Sequence, residues 1–298
     1  MLPLLVFTSR TFKGAYLEAF RENCARESVD MMMGRDIDQM AGSPYSIFRR
    51  HYYHLAVTPL NFDLMCFGRH FALIELAKQR NLDRYMISDT DIVFNQQAYR
   101  RLEAYIPSDI DVMLSRADQG CAGFEDFSEY TPSFSYWTYA AHRDFVDYLA
   151  EFYKRPDSRE IVHAVSKRNG DITGNTTISE MTLLHLWANE RRPKLFNSVT
   201  VRDGMTVDHN ISVLDHDVPN AFVGEFGMKK LVLKDDCIYF QRPDGTLVYP
   251  LTMHCQGRYK RIMRDIMNHR MMRLRLKAIG IASYNKWTLQ KPSLDHLR

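Results

Sequence analysis

The sequence predicts an α/β protein: one mixed, mostly parallel sheet flanked by helices on both faces, with a basic helical appendage. Two observations carry the sheet. Short apolar runs of strand length alternate with longer stretches of helical periodicity, and no internal repeat or low-complexity tract interrupts them. The appendage comes from charge. After residue 257 there are eleven Lys/Arg against only Asp265 and Asp295, a net +9 in a chain of +3 overall, which leaves −6 for the rest. We therefore expect one domain over residues 1–257 and a basic amphipathic tail over residues 258–298.

The elements follow in order. Residues 3–8 (PLLVFT) read as a buried strand. Thr11 to Glu27 reads as a helix with Tyr16, Phe20 and Cys24 on one stripe. The clearest amphipathic helix is 61–80, with Asn61 placed to cap it and Leu64, Phe67, Phe71, Ile74 and Ala77 on its apolar face. Tyr85–Ser88 is a short strand running into Asp89, and 111–115 (DVMLS) is another. Helices are expected at 144–153 and 180–189, the second capped by Thr177 or Ser179. Residues 229–233 and 237–241 flank Asp235-Asp236 as a hairpin, followed by a Pro243-Asp244-Gly245 turn. From Arg258 to Ile279 the pattern is helical, with Met263, Met267, Met271, Leu274 and Ala278 as a stripe among basic residues.

Five cysteines, odd in number and without a C-x-x-C pair, read as free thiols in a reducing compartment. The apolar opening lacks a basic leader and no run reaches the length of a membrane span, so a cytoplasmic location is expected, with any membrane contact peripheral to the inner face.

Two short motifs carry chemistry. In Tyr85-Met86-Ile87-Ser88-Asp89-Thr90-Asp91 a buried strand delivers two carboxylates one residue apart, where open α/β sheets present ligands. Carboxylate oxygens together with substrate phosphates suit a hard cation such as Mg²⁺ or Mn²⁺. Far downstream, His254-Cys255-Gln256-Gly257-Arg258-Tyr259-Lys260 offers an imidazole for the same metal, a glycine that lets backbone approach a phosphate, and an ammonium for that phosphate. Glu180, opening its helix, is placed to take a proton from an acceptor hydroxyl or, equally, to complete a helix N-terminus.

A strand ending in D-x-D followed by H-x-x-G-x-x-K resembles the GT-A-fold glycosyltransferases that use nucleotide-sugars, in particular the glycogenin and bacterial lipopolysaccharide galactosyltransferase group. The resemblance implies a single Rossmann-like GT-A domain, Mn²⁺ (or Mg²⁺) held by Asp89, Asp91 and His254, and a donor diphosphate met by Gly257 and Lys260. It also implies a donor-facing arginine at Arg69, a base cradle at Thr8, Ser9 and Arg10, and Asp91, Lys260 and Glu180 as the catalytic set. The cosubstrates implied are a nucleoside-diphosphate-sugar, UDP-sugar favoured, and a glycan or lipid-linked glycan acceptor of surface polysaccharide synthesis. Arg261 and Ile262 replace the proline and tryptophan that often follow the lysine in that group.

Two other classes use the same residues. In a haloacid-dehalogenase-like phosphohydrolase Asp89 is a nucleophile, and Asp235-Asp236 supplies the later acidic pair. A non-catalytic sugar-nucleotide or glycan-binding module needs the pocket but no turnover. The basic tail at 258–279 either lies on an anionic membrane or packs its methionines on the body. No nucleic-acid partner is expected, because no recognised fold or aromatic-basic array accompanies the charge.

Overall fold

A computed structural model describes residues 2–8, 15–34, 43–116, 130–173, 176–212 and 222–289. Its central sheet has six strands in the order β2-β1-β3-β6-β5-β7. They are β1 (Leu4–Phe7), β2 (Met31–Gly34), β3 (Arg84–Ser88), β5 (Val112–Arg116), β6 (Tyr130–Thr138) and β7 (Leu195–Asn197). Only β6 runs against its neighbours, so five of the six point the same way. This is the mixed, mostly parallel sheet expected from the sequence.

Strand alternation splits the core in two. Leu5, Tyr85, Ile87, Val112, Leu114 and Trp137 face α2 (Pro44–His51), α3 (Leu60–Gln79), α5 (Tyr139–Phe152), α6 (Ser158–Thr173) and α7 (Glu180–Arg191). Leu4, Val6, Met86, Met113 and Tyr136 face the other way, toward α1 (Ala15–Arg26) and α4 (Ala98–Tyr105). At about 25 cal/mol per Å² of apolar surface, burial on both faces is the main term holding the layers together.

A smaller sheet crosses one end. Here β11 (Leu231–Lys234), β12 (Cys237–Gln241), β13 (Leu247–His254) and β4 (Ile92–Phe94) pair in that order, and β8 (Met205–Val207) joins β13. A two-stranded ribbon of β9 (Gly224–Glu225) and β10 (Met228–Lys229) lies beside them in sequence. The expected hairpin is the β11–β12 pair, and Asp235 and Asp236, both at positive φ, make its turn.

The details of several elements differ from expectation. Asn61 does not cap α3: Pro59 occupies that position without a side-chain bond, and Asn61 sits inside the first turn. The α5 helix begins five residues earlier than read, where Thr138 Oγ1 accepts from Ala141 N–H. Ser179, not Thr177, caps α7. The segment after 257 is not one helix but three pieces: a 3₁₀ turn (Gly257–Ile262), α8 (Met263–Met267) and α9 (Met271–Leu289), with His269 at positive φ in the break. Met263, Met267, Leu274 and Ala278 are buried in one cluster with Ala19, Val93 and Met253, so that stripe packs on the body.

Candidate functional site

The two carboxylates come from the junction between sheets. Asp89 follows the last residue of β3, and its N–H donates to Ser133 O of β6 at 2.7 Å. After Thr90 the chain turns into β4, whose antiparallel register sets Ile92 opposite His254 of β13. Cys255 N–H donates to Asp91 O at 2.9 Å and closes this pairing. Two motifs far apart in the chain thus meet because one strand of each belongs to the same ladder.

One ligand atom from each of Asp89, Asp91 and His254 lies within 4.8 Å of the others. His254 Nε2 is 3.4 Å from Asp91 Oδ1, and its Nδ1–H donates to His209 O at 2.6 Å. That bond commits Nδ1 and turns Nε2 toward the site, where it pairs with Asp91 and where a metal would take its lone pair in place of the proton. Two carboxylates and one oriented imidazole form a donor set that fits Mn²⁺ or Mg²⁺ with positions left for water or phosphate.

The carboxylates are also held by cations. Lys260 Nζ stands 3.0 Å from Asp91 Oδ2, and Arg69 bonds Asp89. Burial opposes ionisation of Asp91, but His254 and Lys260 more than offset it and hold the carboxyl well below the usual range. At Asp89 burial wins over Arg69, with Asp91 adding repulsion, and the carboxyl is pushed up. A dication placed between them would favour both charged forms.

Gly257 opens the 3₁₀ turn at φ +59°, a conformation that costs an L side chain about 1–2 kcal/mol. Thr8, at the end of β1, lines a pocket of about 160 Å³ with Phe7, Phe62, Cys66, Arg69, Asp89, Asp91 and Lys260. Burial pushes the Cys66 thiol up to about 12, with Glu180 acting in the same direction, so it is no nucleophile at neutral pH. Ser9 and Arg10 lie outside the described residues.

Glu180 opens α7 at the site. It is buried under Arg69, whose Nε and Nη2 donate to its two oxygens at 2.8 and 2.6 Å, and it does not line the pocket. Burial would raise its carboxyl, but Arg69 and His70 hold it below the usual carboxylate range. In this geometry both of its oxygens are engaged by Arg69.

Behind Glu180 runs a chain that sequence reading missed. His70 Nε2 lies 2.5 Å from Glu180 Oε1, His70 Nδ1 is 3.0 Å from His142 Nε2, and His142 Nδ1 is 2.6 Å from the Tyr85 hydroxyl. A lone pair cannot face a carboxylate at 2.5 Å, so His70 carries its proton on Nε2. It then accepts from His142 Nε2–H, and His142 accepts from Tyr85 O–H. The His70–His142 and His142–Tyr85 links are then made with both imidazoles neutral, in agreement with burial lowering both histidines, while the His70–Glu180 approach is close without the alignment of a hydrogen bond.

A second hidden support holds His254. Asp208 Oδ2 accepts from the His254 backbone N–H at 3.0 Å, and Asp208 Oδ1 meets the fully buried Lys229 Nζ at 2.5 Å. Burial draws Lys229 down to about 8 despite Asp208. Nothing in local sequence marks either residue, since their pairing is set by the approach of β10 to the segment after β8.

The chain has no match among protein-family models, and no curated protein matches it. Solved structures that resemble it loosely include two glycosyltransferases. Mouse xyloside xylosyltransferase 1 in its apo form is 7% identical with TM-score 0.39, over 66% of this chain and 84% of that one. A glycosyltransferase involved in the glycosylation of the major capsid of PBCV-1 is 9% identical with TM-score 0.31, over 54% of this chain and 73% of that one. At such values what this chain does has to follow from its own residues.

Among those residues, Asp235 and Asp236 occupy the β11–β12 turn and do not line the Asp89 pocket, so the acidic pair that a phosphohydrolase would need is not assembled there. Among the described residues no helix is long and apolar enough to cross a membrane, and the four described cysteines are free thiols.

Proposed function

We propose that the protein is a metal-dependent glycosyltransferase of GT-A type that moves a sugar from a nucleoside-diphosphate-sugar, UDP-sugar in first place, to a glycan or lipid-linked glycan acceptor. The observation that supports this best is the convergence of Asp89, Asp91, His254 and Lys260 beside one pocket, from two motifs joined by the β4–β13 ladder. A phosphohydrolase would leave His254 and Lys260 without a purpose.

In the reaction the anomeric C–O bond to the diphosphate breaks, and its electron pair stays on the diphosphate oxygen. A new bond forms from the acceptor hydroxyl oxygen, whose proton passes to the departing diphosphate, the base that the reaction itself supplies. Mn²⁺ or Mg²⁺ held by Asp89, Asp91 and His254 would supply Lewis-acid neutralisation of the leaving diphosphate. Lys260 adds a compact positive charge on the same side, and the backbone at Gly257 permits close approach. Arg69 holds Asp89 in position and presents positive charge to the pocket, with Glu180, His70, His142 and Tyr85 fixing its aim. Thr8, which lines the same pocket, would meet the donor's base on this reading.

Thermal unfolding with a panel of UDP-, GDP- and CMP-sugars, with and without Mn²⁺, tests the donor class. Native-state ligands raise the midpoint by mass action. A metal-dependent rise with a diphosphate sugar is expected. A rise that ignores the metal, or none across the panel, would remove the reading.

A further inference from the structure

The 3₁₀ turn that carries Lys260 has a second working edge. With three residues per turn, side chains at i and i+3 eclipse. Gly257 and Lys260 share the edge facing Asp91, and Tyr259 and Ile262 share a buried edge. Arg258 and Arg261 are left on the third, where they line a groove of about 500 Å³ whose far wall is α9, through Lys277, Gly280 and Tyr284.

Two cations of this groove, Arg258 and Arg261, differ from its third, Lys277, and from their neighbours on the tail. Arg264 meets Glu22, Arg275 meets Glu225, and Arg273 and Lys277 meet Asp265. Arg258 and Arg261 have no carboxylate partner among the described residues, and no acid lines the groove. The Arg258 guanidinium is stacked 3.5 Å from the Tyr284 ring centroid, which fixes one fork in place at little entropic cost on binding. The wall itself is open: a Cβ added at Gly280 meets nothing within 4 Å, in mid-helix where glycine costs about 1 kcal/mol against alanine.

Unneutralised arginines converging in a concavity select an oxygen-rich anion that can take bidentate bonds. We propose that this groove binds a phosphate-bearing ligand other than the sugar donor, on the edge of the turn adjacent to the donor's own. The same turn then reads two anionic groups, one through Lys260 and one through Arg258 and Arg261. Phosphate esters in solution and phospholipid headgroups share this chemistry.

The test titrates pyrophosphate by calorimetry into the full chain in EDTA, where metal-assisted binding at Asp89 and Asp91 is absent. Arg258→Ala/Arg261→Ala should weaken binding by about tenfold or more, as expected for loss of charge-assisted bonds worth about 1.5–3 kcal/mol each. Gly280→Leu, which fills the groove and leaves every charge in place, should weaken it similarly. Arg270→Ala should stay within about twofold of wild type. A parallel arm measures sedimentation with phosphatidylglycerol and phosphatidylcholine vesicles. Binding of the anionic vesicles that the double arginine variant loses identifies a lipid headgroup; pyrophosphate binding without vesicle binding identifies a soluble ester. Wild-type pyrophosphate affinity in both the double arginine variant and Gly280→Leu overturns the proposal. So does loss in Lys260→Ala alone, which assigns the binding to the donor edge. Failure of the donor reading shows separately, in the metal-dependent sugar panel.

Discussion

Replacing Glu180 by glutamine removes one charge from a pair in which Arg69 and Glu180 are both largely withdrawn from water. Breaking a buried pair from one side costs about 3–5 kcal/mol, because the remaining charge stays buried without compensation. Arg69 keeps Asp89 as a partner, and glutamine preserves volume, so the lower end, about 3 kcal/mol, is expected. An unfolding entropy of about 2.1 cal/mol/K per residue gives about 0.6 kcal/mol/K for a chain of this length, hence a fall of about 5 °C in Tm. Circular dichroism melts would read it. The same change loosens Asp89 through Arg69, so Mn²⁺ affinity should fall by about tenfold, as for loss of an outer-shell partner. A Glu180→Gln protein melting within about 1 °C of wild type with unchanged Mn²⁺ affinity would refute the anchoring role.

Other expectations follow from the same contacts. Glu180, whose carboxyl is lowered on folding, stabilises the protein above about pH 4.5 and loses that contribution as pH falls through its folded value. His70 and His142 are also lowered, so the unfolded chain binds more protons below about pH 6.5, and stability should fall with acid from that point by up to about 1.4 kcal/mol per pH unit for each. Replacing His142 by Phe should flatten that slope in denaturant midpoints measured from pH 5 to 7; an unaltered slope would place the titration elsewhere. Lys260→Ala should cost roughly 2–4 kcal/mol of barrier, about thirty- to a thousandfold in turnover, with a smaller effect on donor affinity, while Arg270→Ala stays near wild type; equal losses in the two would make Lys260 one charge among many. Lys229→Met should destabilise by about 3–5 kcal/mol by removing the buried cation opposite the Asp208 carboxylate, and Asp208→Asn added to it should recover much of the loss in urea midpoints. If the second change worsens the first, Asp208 is not held for Lys229.

The parts of the fold legible in sequence were those with unbroken periodicity. Strands β1 and β3 are buried on both faces and read as unbroken apolar runs, while helix α3 repeats Leu64, Phe67, Phe71 and Ile74 at helical spacing. Strand β6 escaped because it buries Ser133 and Ser135 as well as Trp137 and contains Pro132 where its pairing with β5 shifts register. Helix α5 was read short because β6 runs straight into it, with only Thr138 as punctuation. At the site, Asp89, Asp91, His254 and Lys260 sit in compact motifs, and the ladder brings them together. The supports could not be read: Glu180 faces Arg69 across packed helices, and the His70–His142 and Asp208–Lys229 contacts join residues that local pattern does not connect. The methionine stripe was legible as amphipathic, but amphipathicity alone does not distinguish a membrane from the protein's own core, and here it packs on the core.

The central claim is that the Asp89, Asp91 and His254 cluster serves metal-dependent cleavage of a sugar nucleotide. Nucleoside-diphosphate release from the sugar nucleotide that binds best, followed with Mn²⁺ present and then chelated, tests it most directly, with Asp91→Asn as the paired variant. Release that requires Mn²⁺, stops in EDTA and is absent in a folded Asp91→Asn protein is the predicted result. Undiminished release in EDTA or in Asp91→Asn would contradict it.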